Sequence, residues 1–378
     1  MKLGGEKVKY MYGINEVLLN YERNDYSEHV SKSSYKVDCS FGTNPYGRWP
    51  QLKILEGLLD HVDLYPHDDS VLLEGICRYF KSIADIMPEN IELTCGSIGA
   101  VMAVNRMFLR HSKKVIGIAP QFPAVVDDFN IYGSDYEPVH LKKEHNYQFV
   151  LKDFLKVLND TENTYIYIDN PNNPTGQIIP KTEIEEIIKQ ARVKNSFVVV
   201  DEAYGDYMDT EDSAVSLLDK YDNFAIIRTF SKGLGAAGIR LGYVIGSEDF
   251  IYLLGKVNTP FANNSISTYI ASQIINSGWN GDCRIKINDS KKRILTELSS
   301  LKIAFTSVNV PISMLYCENR KVDLCKLMEK TGLKVVSCQG YEGLGINSVR
   351  LNLNKNMDML MKCLKETEQL LGTEYAYS

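Results

Sequence analysis

The sequence has no CxxC pair and no Cys/His cluster at metal-ligand spacing. Its eight cysteines, at 39, 77, 95, 283, 317, 325, 338 and 363, are scattered. That spacing argues against a zinc site and against a disulfide framework, and scattered thiols point to a reducing cytosol. A basic surplus is also missing: Lys plus Arg total 42 against 48 Asp plus Glu, for a net charge of −6. Nucleic-acid binders usually show the opposite balance, so no nucleic-acid partner is expected. No stretch approaches the roughly 20 apolar residues that span a bilayer, and the opening MKLGGEKVKYMYGINEVLLN lacks the apolar core of a secretory signal. No membrane association is expected, and the expected location is cytoplasmic. Repeats, low-complexity runs and Pro-rich linkers are absent too. What is there is ordinary globular composition, 378 residues with 44% hydrophobic and 24% charged. At roughly 150 residues per domain that allows two domains, stable without metal or disulfide staples.

From about 91 to 246 short apolar runs alternate with segments of helical period. IELTCGS (91–97), KVIGIAP (114–120), TYIYIDNP (164–171), SFVVVDEAY (196–204) and FAIIRTFSK (224–232) read as strands, with a helix over 98–110. The runs are nearly continuous in Val, Ile, Phe and Tyr, as in strands covered on both faces. A helix over 182–194 carries Ile184, Ile187, Ile188 and Ala191 on one face, with Thr182 and Glu185 spaced as a capping box. This alternation predicts an α/β domain with a mostly parallel sheet. From about 265 the pattern changes to longer helices and few strands, ending in an amphipathic helix over 356–371 with Gly372 as its cap. The expected organisation is an N-terminal arm (1–45) on the small domain, a large domain (46–264) and a small α+β domain (265–378).

GLGAAG (233–238) satisfies the dinucleotide pattern G-x-G-x-x-G. That fingerprint should open a helix in the first βαβ unit and be followed about 20 residues on by an acid. Here it comes late, inside TFSKGLGAAGIRLGY, with Lys232 before it and Arg240 after it. A lysine at a strand end in a Gly-rich turn is placed for Schiff-base chemistry, since desolvation lowers an amine pKa. Arg240 offers a phosphate anchor, and Thr229 and Ser231 offer hydroxyls beside the lysine. An amine next to a phosphate anchor points to pyridoxal phosphate. NPNNPTG (170–176) and DEAY (201–204) close two other strands. Ligands bind outside the carboxyl ends of the strands in an open parallel sheet, so Asn173, Asp201, Tyr204 and Lys232 should converge. A carboxylate such as Asp201 keeps a pyridine nitrogen protonated and makes the ring an electron sink. Asn173 and Tyr204 can hydrogen-bond its phenolic oxygen. Each of these motifs alone also fits a turn or a strand cap; the ordered set carries the signal.

With those residues in view the sequence resembles the fold-type I, class I/II aminotransferases, most of all the branch with histidinol-phosphate aminotransferase and threonine-phosphate decarboxylase. The resemblance runs from FGTNPYG (41–47) to SVRLNL (348–353). It implies a pyridoxal-phosphate enzyme that moves an α-amino group to a 2-oxo acid, with Lys232 holding the cofactor as a Schiff base and Asp201 on the ring nitrogen. Thr229, Ser231 and Arg240 would then bind the phosphate. By the same resemblance CGSIGA (95–100) places Gly96 and Ser97 at a helix N-terminus for the phosphate, Phe122 in PQFP stacks on the ring, and Tyr65 in LYP reaches the phosphate of a neighbouring subunit, which implies a homodimer. Arg350 matches the arginine that forks onto the substrate carboxylate, and Asn44 is a further substrate-side candidate. The sequence departs at VVSCQGYEGLG (335–345), where Val336 and Ser337 replace a basic and an acidic residue. That removes the expected phosphate ligand of the substrate and shifts attention to the arm residues Tyr10, Tyr12, Glu16 and Glu22. His29, His61 and His67 are expected to be solvated or structural. The alternatives are a decarboxylase, cyclase or eliminating enzyme on the same cofactor, or a pyridoxal-binding regulator, for which the acidic chain has no DNA-binding module.

Overall fold

The computed structural model describes residues 15, 17–20, 35–54, 56–60, 62–66 and 68–374. Tyr10, Tyr12, Glu16, Glu22, His29, His61 and His67 lie outside the described residues. Among the described residues there are thirteen strands: β1 Val37–Asp38, β2 Ile91–Thr94, β3 Lys114–Ala119, β4 Asp135–His140, β5 Tyr165–Asp169, β6 Phe197–Asp201, β7 Phe224–Thr229, β8 Gly242–Gly246, β9 Lys302–Ile303, β10 Ile312–Tyr316, β11 Leu333–Lys334, β12 Val336–Ser337 and β13 Ser348–Asn352. The helices are α1 Val17–Asn20, α2 Ser70–Phe80, α3 Gly96–Phe108, α4 Pro123–Ile131, α5 Leu151–Asn159, α6 Lys181–Val193, α7 Glu248–Gly255, α8 Ser265–Ile274, α9 Trp279–Glu297, α10 Leu324–Thr331 and α11 Met357–Glu374.

Seven strands form one sheet in the order β2-β8-β7-β6-β5-β3-β4, in which β8 alone runs against the rest. Its strands are apolar on both sides because both sides are covered. Ile166, Ile168, Val198, Val200 and Ile226 pack with Ile184, Ile187, Ile188 and Ala191 of α6, while Tyr165, Tyr167, Val199, Ala225 and Ile227 pack with α3, α4 and α7. Each such aliphatic side chain contributes about 1.5–3 kcal/mol on burial, so a charge at Val199 would break the sheet at its centre. The second sheet, β12-β13-β10-β9, is antiparallel and shares a core with α9, α10 and α11.

Four sequence expectations shift. The chain changes core between Ile275, buried with the large sheet, and Trp279, buried with the small one, so α8 belongs to the first unit and position 265 is not the divide. Residues 37–38 pair with β11 of the second unit, whereas Asn15 Nδ2 donates to Ile131 O of α4 at 3.0 Å, so the described arm touches both units. Thr182 and Glu185 form no capping box: Pro180 is the N-cap, its fixed φ suiting the position, and Glu185 instead accepts from Lys220 Nζ at 3.1 Å. Gly372 lies inside α11, which runs on to Glu374. Elsewhere caps hold as chemistry requires. Asn264 accepts from Ser267 N at 2.9 Å and Asp323 from Lys326 N at 3.0 Å, and Gly332, at φ +87°, closes α10.

Candidate active site

The parallel strands deliver their polar ends to one edge. Tyr167 and Asp169 share a face of β5 because strand residues alternate, and Asp201 ends β6 in register with Asp169. β7 ends at Thr229 and turns at once into Ser231 and Lys232. The turn after β3 leads into Phe122, the residue before α4, and the turn after β2 leads into Gly96 and Ser97 at the start of α3. Ser97, Phe122, Asn173, Asp201, Tyr204, Lys232 and Arg350 line one cavity of about 220 Å³.

GLGAAG opens no α-helix, only a single 3-10 turn at Ala237–Ile239. Gly235 sits at φ +71°, and a Cβ there would lie 2.2 Å from Gly47 O. The glycines let this turn pack against the TNPYG loop. That disposes of dinucleotide geometry and leaves Lys232 in a rigid turn, its Nζ 5.1 Å from the centroid of the Tyr204 ring. A Cβ on Gly42 would come within 2.1 Å of the Tyr204 hydroxyl and 3.3 Å of Lys232 Nζ, so only glycine lets the FGTNPYG loop cover both. Asp201 accepts hydrogen bonds from the Tyr167 hydroxyl and from Ala203 N–H at 2.8 Å. Burial pushes this carboxyl above the usual carboxylate range, against the pull of those bonds and of the Lys232 charge.

Next to it lies a cradle for an anion. Thr229 Oγ1 donates to Ser231 Oγ at 3.0 Å, and Arg240 Nη1 to Ser231 Oγ at 3.3 Å. Arg240 takes a left-handed conformation, φ +52°, and its Nη2 lies 2.9 Å from where a Cβ on Gly96 would stand. Glycine at 96 therefore makes room for the guanidinium at the N-terminus of α3, where backbone N–H groups favour negative charge. A desolvated carboxylate, an amine and this cradle fit the ring nitrogen, aldehyde and phosphate of pyridoxal phosphate.

Arg350 faces the same cavity from β13. Its Nη2 donates to Ser40 O at 2.8 Å and Nη1 to Asn173 Oδ1 and the Tyr341 hydroxyl, both at 3.3 Å. Its Nε is buried and has no hydrogen-bond partner among the described residues. Asn173 is itself fixed, its N–H donating to Asp169 Oδ2 at 2.8 Å. Asp169 also accepts from Asn172 Nδ2 at 3.0 Å, and burial pushes its pKa up to about 7. The NNPTG turn meets the second sheet at Gly176, φ +76°, where a Cβ would stand 2.3 Å from Ile312 O. Lys291 Nζ donates to that same carbonyl and to Val310 O.

Two candidates lie apart. Asn44 is a buried loop anchor: its amide donates to Gly233 O at 2.8 Å, and its Oδ1 accepts from Tyr46 N–H at 2.9 Å. It does not line the cavity and holds the lysine turn instead. Tyr65 is 74% exposed and stacks on Phe261, ring centroids 4.5 Å apart. Sequence reasoning missed Gly42, Ser40, Tyr167, Asp169 and Tyr341. The alternation Tyr165-Tyr167-Asp169 running into the strand end was the available signal for two of them.

The sequence model described as Aminotransferase class I and II matches residues 61–363. A histidinol-phosphate aminotransferase of Ruminiclostridium cellulolyticum is 30% identical over 325 residues, 84% of this chain and 88% of that protein. Among solved structures, the histidinol-phosphate aminotransferase of Sinorhizobium meliloti, crystallised with pyridoxal-5′-phosphate, superposes with a TM-score of 0.79 at 19% identity, covering 96% of this chain and 99% of the other. A double mutant of the Thermus thermophilus aspartate aminotransferase superposes with a TM-score of 0.81 at 18% identity, covering 96% and 100%. These last two share the fold. With the matched region spanning most of the chain and the curated relative sharing most of its length, the chain belongs to the class I and II aminotransferase family.

Proposed function

We propose that this aminotransferase binds pyridoxal 5′-phosphate across the edge of the seven-stranded sheet and moves the α-amino group of an amino acid to a 2-oxo acid. The observation that carries this is one cavity lined by an amine, a buried carboxylate and an arginine lacking an anionic partner, Lys232, Asp201 and Arg350. Ser97, Thr229, Ser231 and Arg240 would hold the phosphate. Asp201 would face the ring nitrogen, Asn173 and Tyr204 the phenolic oxygen, and Phe122 the ring face. When bound, the cofactor supplies an electron-withdrawing ring that makes the substrate α-hydrogen acidic. Lys232 Nζ would anchor the cofactor and, once the substrate amine has displaced it, would serve as the base that takes the proton from the substrate Cα and delivers it to the cofactor carbon that had held the lysine. Arg350 receives the α-carboxylate, its free Nε offering the edge that a planar fork needs. Gly42 and Tyr204 shield the amine from water.

The curated relative at 30% identity is an aminotransferase, so the decarboxylase, cyclase or eliminating alternative is not favoured. Tyr65 supports a homodimer. It is a large exposed ring held in place by Phe261, in an exposed apolar stretch with Leu59, Val62 and Leu64, as a tyrosine reaching a partner's phosphate site would be. Free thiols at all eight cysteines suit the cytoplasm.

Borohydride reduction of the holoenzyme should fix the cofactor to the peptide carrying Lys232, read by mass spectrometry. Lys232→Ala should carry none, and its turnover should fall by at least ~100-fold, the low end of what a positioned acid–base contributes. Cofactor fixed to another residue, or turnover kept by the variant, overturns the assignment.

A further inference from the structure

We propose that Val336 and Phe41 form the wall that meets the substrate side chain, so that the amino donor carries an uncharged, apolar or aromatic side chain and no phosphate. This rests on Arg350 taking the α-carboxylate.

The register places residue 336 at the point of selection. Val336 pairs directly with Arg350 across β12 and β13, and opposed residues of an antiparallel pair project on the same face with Cβ atoms ~5 Å apart. Both line the cavity. A group hanging from the Cα of a carboxylate held by Arg350 is therefore met by Val336. Ser337 points to the other face, where its Oγ accepts from Gln339 N–H at 3.3 Å, so it offers the substrate nothing.

Phe41 supplies the second part of the wall. The backbone before it is pinned: Cys39 N–H donates to Lys334 O at 2.8 Å, Asn352 N–H to Cys39 O at 2.9 Å, and Ser40 O accepts from Arg350. Yet the Phe41 ring is 60% exposed while lining the cavity. An aromatic ring fixed at a cavity mouth and left in water is stabilised by whatever apolar group covers it.

Charge points the same way. Among the described lining residues the cations are Lys232 and Arg350, and both have assigned tasks. Lys334 lies 5.7 Å from the Phe41 ring centroid, but its Nζ pairs with Asp38 at 3.5 Å and it does not line the cavity. Among the described lining residues a side-chain phosphate brought against Val336 would lose its water and find no cation besides Lys232 and Arg350, a burial that is unfavourable without a further partner. An aliphatic or aromatic group would lose nothing.

The test uses full-length holoenzyme with phenylalanine, leucine, methionine, phosphoserine and phosphothreonine as donors, compared by kcat/KM. It adds calorimetric binding of two dead-end acids without an amino group, 3-phenylpropanoate and 3-phosphonopropanoate. The apolar donors should exceed the phosphorylated ones by at least ~10-fold, and 3-phenylpropanoate should bind the tighter of the two acids. Val336→Arg should reverse the order, raising kcat/KM for phosphothreonine by at least ~10-fold, as one charge-assisted contact would, and lowering it for phenylalanine. A wild type that prefers the phosphorylated amino acids, or tighter binding of the phosphono acid, overturns the proposal while leaving the aminotransferase reading intact. If no donor turns over, that reading fails instead, and the two dead-end acids still decide which wall the cavity presents.

Discussion

Two arginines are buried almost equally, Arg228 at 2% and Arg350 at 8% exposure, and their surroundings could hardly differ more. Arg228, on β7, is gripped by Glu202 at 2.8 Å and Asp206 at 2.7 Å, with the Phe80 ring centroid 5.3 Å from its guanidinium. Arg350 meets a carbonyl, an amide oxygen and a hydroxyl, and among the described residues its Nε has no partner. A buried cation facing its own carboxylates is finished structure. One held by neutral oxygens keeps its charge for something that arrives, and folding gains little from it. The Arg228 triad also explains why the reactive turn is stiff. Glu202 adjoins Asp201 and accepts from Ser213 Oγ and Ala214 N–H, both at 2.7 Å. Asp206 lies so close beneath Gly233 that a Cβ there would stand 2.3 Å from the Asp206 Cβ. The paired arginine thus fastens the lysine turn, while Arg350 faces the cavity with no carboxylate beside it among the described residues.

The sharpest way to break this contrast is to remove each guanidinium. Arg228→Met leaves two buried carboxylates without a cation and should lower stability by about 3–5 kcal/mol, the usual result of breaking a buried ion pair from one side. The denaturant midpoint of the apoprotein reads it. Arg350→Met should change that midpoint by less than ~1 kcal/mol, because no internal anion loses its partner. Its effect should fall on the substrate: KM for the donor should rise roughly 10- to 100-fold, the range of one or two charge-assisted hydrogen bonds. Equal losses of stability in the two variants would erase the distinction.

This contrast shows where the sequence was legible. Strand ends carrying NPNNPTG, DEAY and FSK pointed to one sheet edge because near-continuous apolar runs mark buried parallel strands, and the structure brings those ends together. Arg228 was passed over: inside FAIIRTF it reads as one polar interruption of a buried run, and nothing local says that Glu202 and Asp206 enclose it. β4 was missed because DYEPVH is a half-buried edge strand interrupted by Pro138, a pattern that periodicity does not separate from a loop. β8 was missed because GYVIG follows directly on the glycine turn. Asn44 was singled out as a polar residue in the TNPYG loop, and Ser337 as a replacement for an acidic residue. Their hydrogen bonds are already spent on Gly233 O and on Gln339 N–H, which only tertiary packing reveals.

The carboxylates offer the mirror image of the arginines, with a smaller expected effect. Asp206 has a guanidinium; Asp169 has only neutral donors, Asn172 Nδ2 and Asn173 N–H. Burial pushes Asp169 up to about 7 from 3.8, so the folded apoprotein holds this proton where the unfolded chain has released it. Stability from that proton is complete below about pH 4 and is lost as the pH climbs to about 7, at up to ~1.4 kcal/mol per pH unit for one such group. Asp169→Asn cannot titrate. The midpoint difference, variant minus wild type, should therefore move in favour of the variant between pH 5 and pH 7 and level off above. The constant part of the difference, set by which hydrogen bonds an amide keeps, cancels from that slope. A flat difference across the interval would mean that Asp169 ionises like an exposed acid, and the contrast between carboxylates with and without a cation would not extend to the cavity. A slope of the stated sign would make Asp169 a neutral donor or acceptor beside Asn173 at pH 6 and an anion at pH 8. The hold on Asn173, and through it on Arg350, would then tighten as the pH rises through 7.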